Sequence, residues 1–105
     1  MNHKEALEQL NYIARFLKVG EMRHLNCIRL NSSCSDKHND EIIRRCKEYL
    51  KIGTQFLTEV NLVRGGRADI LIPHLNLIEE IMVSESDDRF HRKNYSPFKV
   101  VQIRI

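Results

Sequence analysis

The sequence has no long uninterrupted hydrophobic segment, and this limits where the protein can reside. None of its apolar runs approaches the roughly 20 residues that a membrane-spanning helix needs. The first residues also lack the charged and then apolar layout of a secretory signal peptide. A length of 105 residues suits one domain with a single modest core. We therefore expect one soluble, cytoplasmic domain over residues 1–105, with no membrane partner.

Cysteine is scarce as well, and its spacing excludes several protein classes. The three cysteines are Cys27, Cys34 and Cys46, and no two of them form a C-x-x-C pair. An odd number without such pairs argues against a disulfide framework. His24 and His38 lie nearby and make zinc an alternative, but the spacing matches no common zinc finger. We interpret the cysteines as reduced residues that pack in the core.

Charge of one sign is not concentrated in this chain. It carries 17 basic and 14 acidic residues, which gives a net charge of +3. A dedicated nucleic-acid-binding protein usually shows a denser basic stripe. The sequence also contains no internal repeats and no low-complexity linker. The charge therefore permits nucleic-acid binding without requiring it, and function has to be inferred from local patterns.

Hydrophobic periodicity predicts helices in the first half of the chain. Apolar residues recur at three- and four-residue spacing over residues 4–18 and again over residues 39–51. We predict that Asn39 caps the second of these helices and that Gly53 ends it. Residues 21–30 are ambiguous, and we interpret them as a second helical piece before a polar loop.

Beyond Gly53 the pattern becomes that of β-strands. We predict strands over residues 55–63 and, after a Gly-Gly turn, up to residue 73, followed by strands over residues 77–83 and 99–105. A short polar helix over residues 87–95 precedes the last strand. A strand reached through a helix normally runs parallel to its neighbour. The expected fold is α/β with a mixed sheet and an extra N-terminal helix.

From His38 onward, roughly the last two-thirds of the chain carry a family resemblance. The similar stretches are Leu50-Lys51-Ile52-Gly53, Thr58-Glu59-Val60, Gly66-Arg67-Ala68-Asp69-Ile70, Glu80-Ile81-Met82-Val83-Ser84-Glu85-Ser86, Arg92-Lys93, Tyr95-Ser96-Pro97 and Val100-Val101-Gln102-Ile103. In this order they resemble the PD-(D/E)XK, or restriction-endonuclease-like, nuclease superfamily. The resemblance implies a helix–three strands–helix–strand core over residues 36–105, with residues 1–35 as an N-terminal helical extension.

The same resemblance implies metal-dependent hydrolysis of phosphodiester bonds in DNA. Such hydrolysis needs a divalent ion that polarises the phosphoryl oxygen and supplies hydroxide from bound water. Mg²⁺ prefers oxygen ligands and keeps several waters, so one or two carboxylates suffice, and Mn²⁺ can substitute. We expect Asp69, Glu80 and the main-chain carbonyl of Ile81 to hold the ion. Glu59 would support the site, and Glu41 is a weaker candidate.

Strand geometry provides a check on this pairing that needs no family knowledge. Directly opposed residues of an antiparallel pair share a face of the sheet. An even number of residues in the turn near His74 would place Asp69 opposite Glu80, and an odd number would place it on the face of Glu79. The sequence alone leaves the turn open. We favour Glu80 and keep Glu79 as the alternative.

The sequence departs from the family pattern at one position. The family's lysine follows the glutamate by two residues, where it orients or activates the attacking water, and Met82 stands there. Some members are thought to supply the lysine from the next helix, and Lys93 is the candidate here. Without a cation at the site, the domain would bind nucleic acid or a protein partner and not cleave.

Basic residues outside the site are candidates for contacts with the DNA backbone. These are Arg44, Arg45, Arg64 and Arg67. Backbone contacts position a duplex without reading its sequence. So small a domain either forms a homodimer, with one active site for each strand, or recognises DNA structure such as ends, nicks or junctions. Endonuclease or exonuclease action, and DNA or RNA as substrate, stay open, as does an unrelated α/β interaction protein with purely surface acids.

Overall fold

The computed structural model describes residues 2–83 and 95–105. The helices are α1 (His3–Ala14) and α2 (Asp36–Ile52), with single 3₁₀ turns at Glu21–His24 and Pro73–Leu75. The strands are β1 (Leu57–Asn61), β2 (Arg67–Ile72), β3 (Leu77–Met82) and β4 (Lys99–Arg104). The helix predicted at 87–95, apart from its last residue, lies outside the described residues. No described helix has the length and apolar character needed to cross a membrane.

The four strands form one mixed sheet in the order β1-β2-β3-β4. The first three strands pair antiparallel, and β4 pairs parallel to β3. This is the direction expected for a strand that is reached through a crossover and not through a tight hairpin. The predicted α/β class, the mixed sheet and the extra N-terminal helix are therefore confirmed.

Helix α1 begins as its sequence predicts but ends earlier than residue 18. The side chain of Asn2 caps it by accepting a hydrogen bond from the backbone N–H of Glu5 at 2.8 Å. After Ala14 the chain leaves the helix and joins the sheet region, where Leu17 forms a bridge with Leu62. The apolar pattern continues to Leu17 because that residue is buried in the core, not because it is helical.

The helix predicted over residues 21–30 is wrong beyond its first turn. After the 3₁₀ turn the chain runs beside β1 and bonds to it through its backbone. The N–H of Asn26 donates to the carbonyl of Phe56 at 2.8 Å, and the N–H of Arg29 donates to Thr58 Oγ1 at 2.7 Å. These contacts with the edge of β1 satisfy the backbone groups that a helix would otherwise have paired internally.

Helix α2 starts three residues before the predicted cap. Ser35 is the N-cap, and its hydroxyl accepts a hydrogen bond from the N–H of His38 at 3.2 Å. Asn39, predicted as the cap, lies inside the helix and donates from its side chain to the carbonyl of Asn31. Gly53 ends the helix in the left-handed conformation, as predicted, with φ 75°. The earlier start places His38 in the first helical turn.

The sheet buries an apolar layer on each of its faces. The core on the α1 side contains Ile13, Leu17, Leu57, Val60, Leu62, Ala68, Leu71, Ile78, Tyr95 and Phe98. The core on the α2 side contains Ile42, Cys46, Phe56, Ile70, Ile72 and Ile81. Burial raises the pKa of the Cys46 thiol to about 12, so this cysteine packs as predicted. Cys27 is exposed, and for it that prediction is wrong.

The alternation of side chains breaks at one point in β1 and at the facing point in β2. Residues three apart on each strand enter the same core, namely Leu57 with Val60 and Ala68 with Leu71. Between them, Glu59 has a φ of 48°, a left-handed conformation that is rare for a non-glycine residue. The guanidinium of Arg29 donates to the carbonyls of Thr58 and Glu59 at 2.7 and 3.1 Å and holds this geometry. The break re-aims Glu59 and the facing Asp69.

Candidate active site

Three carboxylates lie in a row across three neighbouring strands. The ladder pairs on either side place Glu59 opposite Asp69. The pairing of Ile70 with Glu79, continued by one residue, places Asp69 opposite Glu80. The connection between β2 and β3, residues 73–76, contains an even number of residues. The turn is therefore the even-numbered one of the two alternatives, and Glu80, not Glu79, faces Asp69.

Asp69 and Glu80 replace part of the ladder between β2 and β3 with side-chain contacts. The N–H of Ile81 donates to Asp69 Oδ2 at 2.8 Å, and the N–H of Asp69 donates to Glu80 Oε2 at 3.1 Å. The hydroxyl of Tyr95 donates to the other oxygen of Glu80. These contacts hold the two side chains together between β2 and β3.

His38 brings a nitrogen to the same pair from the first turn of α2. Its Nε2 lies 3.2 Å from Asp69 Oδ1. The hydrogen bond with Asp69 raises the pKa of the imidazole above its ordinary value. Burial pushes the pKa of Asp69 upward, but hydrogen bonds with His38, Glu80 and Ile81 outweigh it, so the pKa is lowered. Asp69 is therefore an ionised carboxylate in a largely buried position.

Glu59 completes the row with a carboxylate that is only half satisfied. One oxygen, Oε2, accepts an ion pair from Arg67 Nε at 2.9 Å. The other, Oε1, is buried and has no hydrogen-bond partner among the residues that the structure describes. Burial, and then the negative charge of Asp69, raise the pKa of Glu59. A buried carboxylate with an unsatisfied oxygen costs more free energy than a solvated one unless a further cation binds it.

The row opens on a cleft of about 560 Å³. Asp69, Glu59 and His38 line it, and the basic side chains of Lys18 and Arg67 line it as well. Glu80 is 1% exposed and is not among the described residues on the cleft wall, so it reaches Asp69 from behind. The cleft thus presents acidic groups beside two cationic side chains, an arrangement suited to a phosphate and a divalent ion.

The oxygen donors around Asp69 fit a hard divalent ion. The N–H of Ile105 bonds to the carbonyl of Met82, which therefore points toward β4. Carbonyl directions alternate along a strand, so the carbonyl of Ile81 points toward β2, where Asp69 lies. Two carboxylates and a carbonyl supply oxygen ligands of the kind that Mg²⁺ prefers.

Several residues singled out in the sequence have partners away from the cleft. Glu79 accepts hydrogen bonds from Arg45 and from the hydroxyl of Tyr49, so it serves the packing of α2 on β3. Glu41 forms ion pairs with Arg44 and Arg45 on its own helix. Among the described residues, the cleft wall includes none of these.

The remaining basic candidates are placed differently from one another. Arg67 lines the cleft, whereas Arg64 belongs to the exposed hairpin between β1 and β2. Met82, at the position of the family's lysine, is 2% exposed and buried in the sheet. Lys93 lies outside the described residues.

Lys18 and His38 are among the cleft residues that the sequence does not predict as site residues. Lys18 was assigned to the end of a helix, and its N–H instead bonds to the carbonyl of Asn61 beside the cleft. From the sequence, His38 is only an alternative zinc ligand, and its position in this cleft is not predicted. The Ser35 cap, had it been identified, would have indicated that His38 lies within the first turn.

No family model, no curated protein and no solved structure matches this chain. Its function must therefore be inferred from the geometry and chemistry of the cleft.

Proposed function

We propose that this chain is a restriction-endonuclease-like, metal-dependent nuclease that hydrolyses phosphodiester bonds in DNA. The observation that carries the proposal is the contact between Asp69 and Glu80 on adjacent strands, with Glu59 next in the row. The strand order and directions also suit the core that the resemblance implies. Mg²⁺ is the proposed ion, and Mn²⁺ is a substitute.

Asp69, Glu80 and the carbonyl of Ile81 would hold the ion, and Glu59 would support the site. A divalent ion held by these residues would supply polarisation of the phosphoryl oxygen and a lowered pKa of bound water. The chain's own contribution is to keep Asp69 ionised, through its bonds with His38 and Ile81. Because Glu80 is buried, its carboxyl group is held against Asp69 and cannot rotate freely.

A cation at the cleft is needed because Met82 cannot orient or activate water. Lys18 lines the cleft and is the described residue that best fits this role. Lys93 remains the candidate that the resemblance implies.

The proposed substrate is DNA, bound through its phosphates. Arg67 and Lys18 at the cleft, with Arg64 on the adjacent hairpin, would contact the backbone and position the scissile bond. Arg44 and Arg45 are weaker candidates because both are engaged with Glu41. A homodimer would bring one such cleft to each strand of a duplex.

One observation favours a second function, binding of nucleic acid or of a protein partner without cleavage. Met82 is buried where the family carries its lysine, so no lysine can reach the site from that strand position. In this alternative the carboxylate row would still bind a divalent ion, and Lys18 and Arg67 would still contact phosphates, but no bond would be cut.

The experiment that tests the proposal compares cleavage of DNA by matched variants. Plasmid, duplex, nicked and branched DNA, with RNA controls, are incubated with Mg²⁺ or Mn²⁺. We expect Asp69→Asn and Glu80→Gln to lose activity by on the order of 10²-fold or more. Asp40→Asn removes an exposed acid from α2 and serves as the matched control.

Lys18→Ala and Lys93→Ala then identify which lysine assists the reaction. Equal activity in the wild type and in Asp69→Asn would overturn the proposed site. Metal-dependent DNA binding by the wild type without any cleavage would select the second function.

A further inference from the structure

A second cluster of potential metal ligands lies on the wall of the same cleft. It comprises the thiol of Cys34, an imidazole nitrogen of His38 and a carboxylate oxygen of Glu59. These three atoms all lie within 4.8 Å of one another. They come from different elements, the loop before α2, the first turn of α2, and β1.

We propose that Cys34, His38 and Glu59 form a binding site for Zn²⁺ or a similar borderline-soft divalent ion. Thiolate, imidazole and carboxylate are all ligands of zinc, and three protein ligands leave a fourth position for water or substrate. That position would face the cleft, which all three residues line. A thiolate ligand disfavours Mg²⁺, so this site would select a different ion from the Asp69–Glu80 pair.

The hydrogen bonding of His38 and Glu59 supports this assignment. Both residues are more than nine-tenths buried, with exposed fractions of 8% and 7%. Each has one polar atom engaged, because His38 Nε2 contacts Asp69 and Glu59 Oε2 contacts Arg67. Their other atoms, His38 Nδ1 and Glu59 Oε1, lack a hydrogen-bond partner within residues 2–83 and 95–105. Buried polar atoms in native proteins are nearly always satisfied, so two such atoms in one cluster point to a binding site for a ligand.

The contact between Asp69 and His38 also matches the surroundings of a metal-binding histidine. A histidine that binds a metal through one nitrogen usually donates its other N–H to a carboxylate, which fixes the tautomer and orients the ring. Asp69 Oδ1 occupies that place, 3.2 Å from Nε2. The lone pair of Nδ1 is then available to the ion. Asp69 would act here as a positioning residue and would not contact the second ion.

The local fold brings these residues together although the sequence contains no zinc-finger motif. Because Ser35 caps α2, Cys34 lies just before the helix, and His38 follows it by one turn. The N–H of Cys34 bonds to the carbonyl of Asn31 at 3.0 Å, which fixes the loop. On the other side, the left-handed Glu59 turns its carboxylate toward the helix. Sequence spacing alone could not indicate this site because Glu59 lies on a distant strand.

The zinc site does not depend on the proposed nuclease function, because Asp69 and Glu80 are not among its ligands and Glu59, which is common to both sites, only supports the nuclease site. It is tested on the full chain without nucleic acid and without Mg²⁺. The protein is stripped with a chelator and titrated with Co²⁺, which gives a thiolate-to-metal charge-transfer band when cysteine binds it. We expect one equivalent of Co²⁺ to produce the band and one equivalent of Zn²⁺ to abolish it.

Matched variants decide whether the ion is bound by this cluster. Cys34→Ser should lose the band and weaken Zn²⁺ binding by at least about 100-fold. That is the largest loss of metal affinity typical for a residue that only hydrogen-bonds to a metal ligand, and a ligand itself should matter at least as much. Asp69→Asn should weaken it by about 10- to 100-fold, as expected for the carboxylate that orients a ligating histidine. Cys27→Ser, at an exposed cysteine outside the cluster, should bind as the wild type does.

Alkylation of the wild-type protein provides a test that needs no variant to fold. With Zn²⁺ present, Cys34 should become protected, whereas the exposed Cys27 should react equally with and without the ion and the buried Cys46 should stay unreactive. Absence of the band, or a band that persists in Cys34→Ser, would overturn the site. So would alkylation of Cys34 at an unchanged rate. Failure of DNA cleavage would leave all of these results unaffected.

Discussion

At the scale of single residues, neighbouring arginines on α2 have different surroundings. The guanidinium of Arg45 bonds to the buried carboxylate of Glu79, whose side chain is only 6% exposed. The side chain of Arg44 is 59% exposed and pairs with Glu41 on the same helix. Removal of a cation from a buried carboxylate leaves that charge uncompensated, whereas an exposed pair is screened by water.

We therefore predict that Arg45→Met lowers the free energy of unfolding by on the order of 3 kcal/mol. Arg44→Met, a matched change one residue away, should leave it unchanged within error. Urea denaturation of both variants measures the difference. A second substitution, Glu79→Gln, should restore part of the loss because it removes the buried charge. Equal destabilisation by both arginine variants would contradict the prediction.

Tyr49 provides the prediction on pH dependence. Burial, and then its hydrogen bond to Glu79, raise the pKa of its phenol to about 12. A raised pKa means that the folded state favours the protonated phenol, so this contribution to stability is complete below the ordinary tyrosine pKa of about 10. It is lost as the pH rises from about 10 through 12. In Tyr49→Phe the decline in stability over that range should be smaller, and the ultraviolet titration should lose its step near pH 12.

Glu59 is expected to reduce stability when no cation is bound. Its raised pKa means that the ionised form costs free energy in the folded state, and this cost is present above the folded pKa. Glu59→Gln should therefore be at least as stable as the wild type in the presence of a chelator at neutral pH. Thermal unfolding measures this. A variant clearly less stable than the wild type would indicate that the Arg67 ion pair outweighs burial.

At the scale of secondary-structure elements, the N-terminus of α2 determines where the cleft residues lie. Loss of a side-chain cap typically costs about 1 kcal/mol. We predict that Ser35→Ala lowers the free energy of unfolding by about that amount and weakens Zn²⁺ binding, because the first turn carries His38. Ser35→Asp keeps a capping oxygen and should retain both properties. Binding lost equally in both variants would show that the hydroxyl acts through something other than capping.

The arrangement of elements was largely predictable because each strand has a distinct apolar pattern. The order of helices and strands gave the mixed sheet, including the parallel pairing of β4 with β3. The errors arose where tertiary contacts override local pattern. Residues 25–30 resemble part of a helix but satisfy their backbone against β1. Ser35 and Asn39 are both good caps, and only the packed structure distinguishes them.

The candidate site was predictable only in part for the same reason. That an Asp and a Glu could meet on β2 and β3 followed from strand spacing, but the choice between Glu79 and Glu80 needed the turn geometry. Asn76, with a φ of 52°, ends that turn. The number of residues in the turn could not be derived from the sequence. The left-handed Glu59 could not be expected at all, since glutamate rarely adopts that conformation.

At the scale of the whole molecule, two acidic side chains line one cleft, Glu59 from β1 and Asp69 from β2, and Glu80 from β3 contacts Asp69 behind it. An ion that binds the folded state alone stabilises it, by about 2.7 kcal/mol at a concentration of 100 Kd. We predict that Mg²⁺ and Zn²⁺ each raise the unfolding temperature of the wild type. Asp69→Asn should lose the Mg²⁺ effect, whereas Cys34→Ser should lose only the Zn²⁺ effect. Identical responses in both variants would indicate one shared site.

The N-terminal segment belongs to the same folded body as the sheet, and this has a practical consequence. Ile13 and Leu17 are buried in the core on the α1 side, and Lys18 is bonded to the end of β1. A shortened gene that starts near residue 36, where the family-like pattern begins, would uncover that core and delete one wall of the cleft. Such a fragment would be expected to aggregate, so inactivity in it would not bear on the function proposed for the full chain. Screening and crystallisation should keep the first residues.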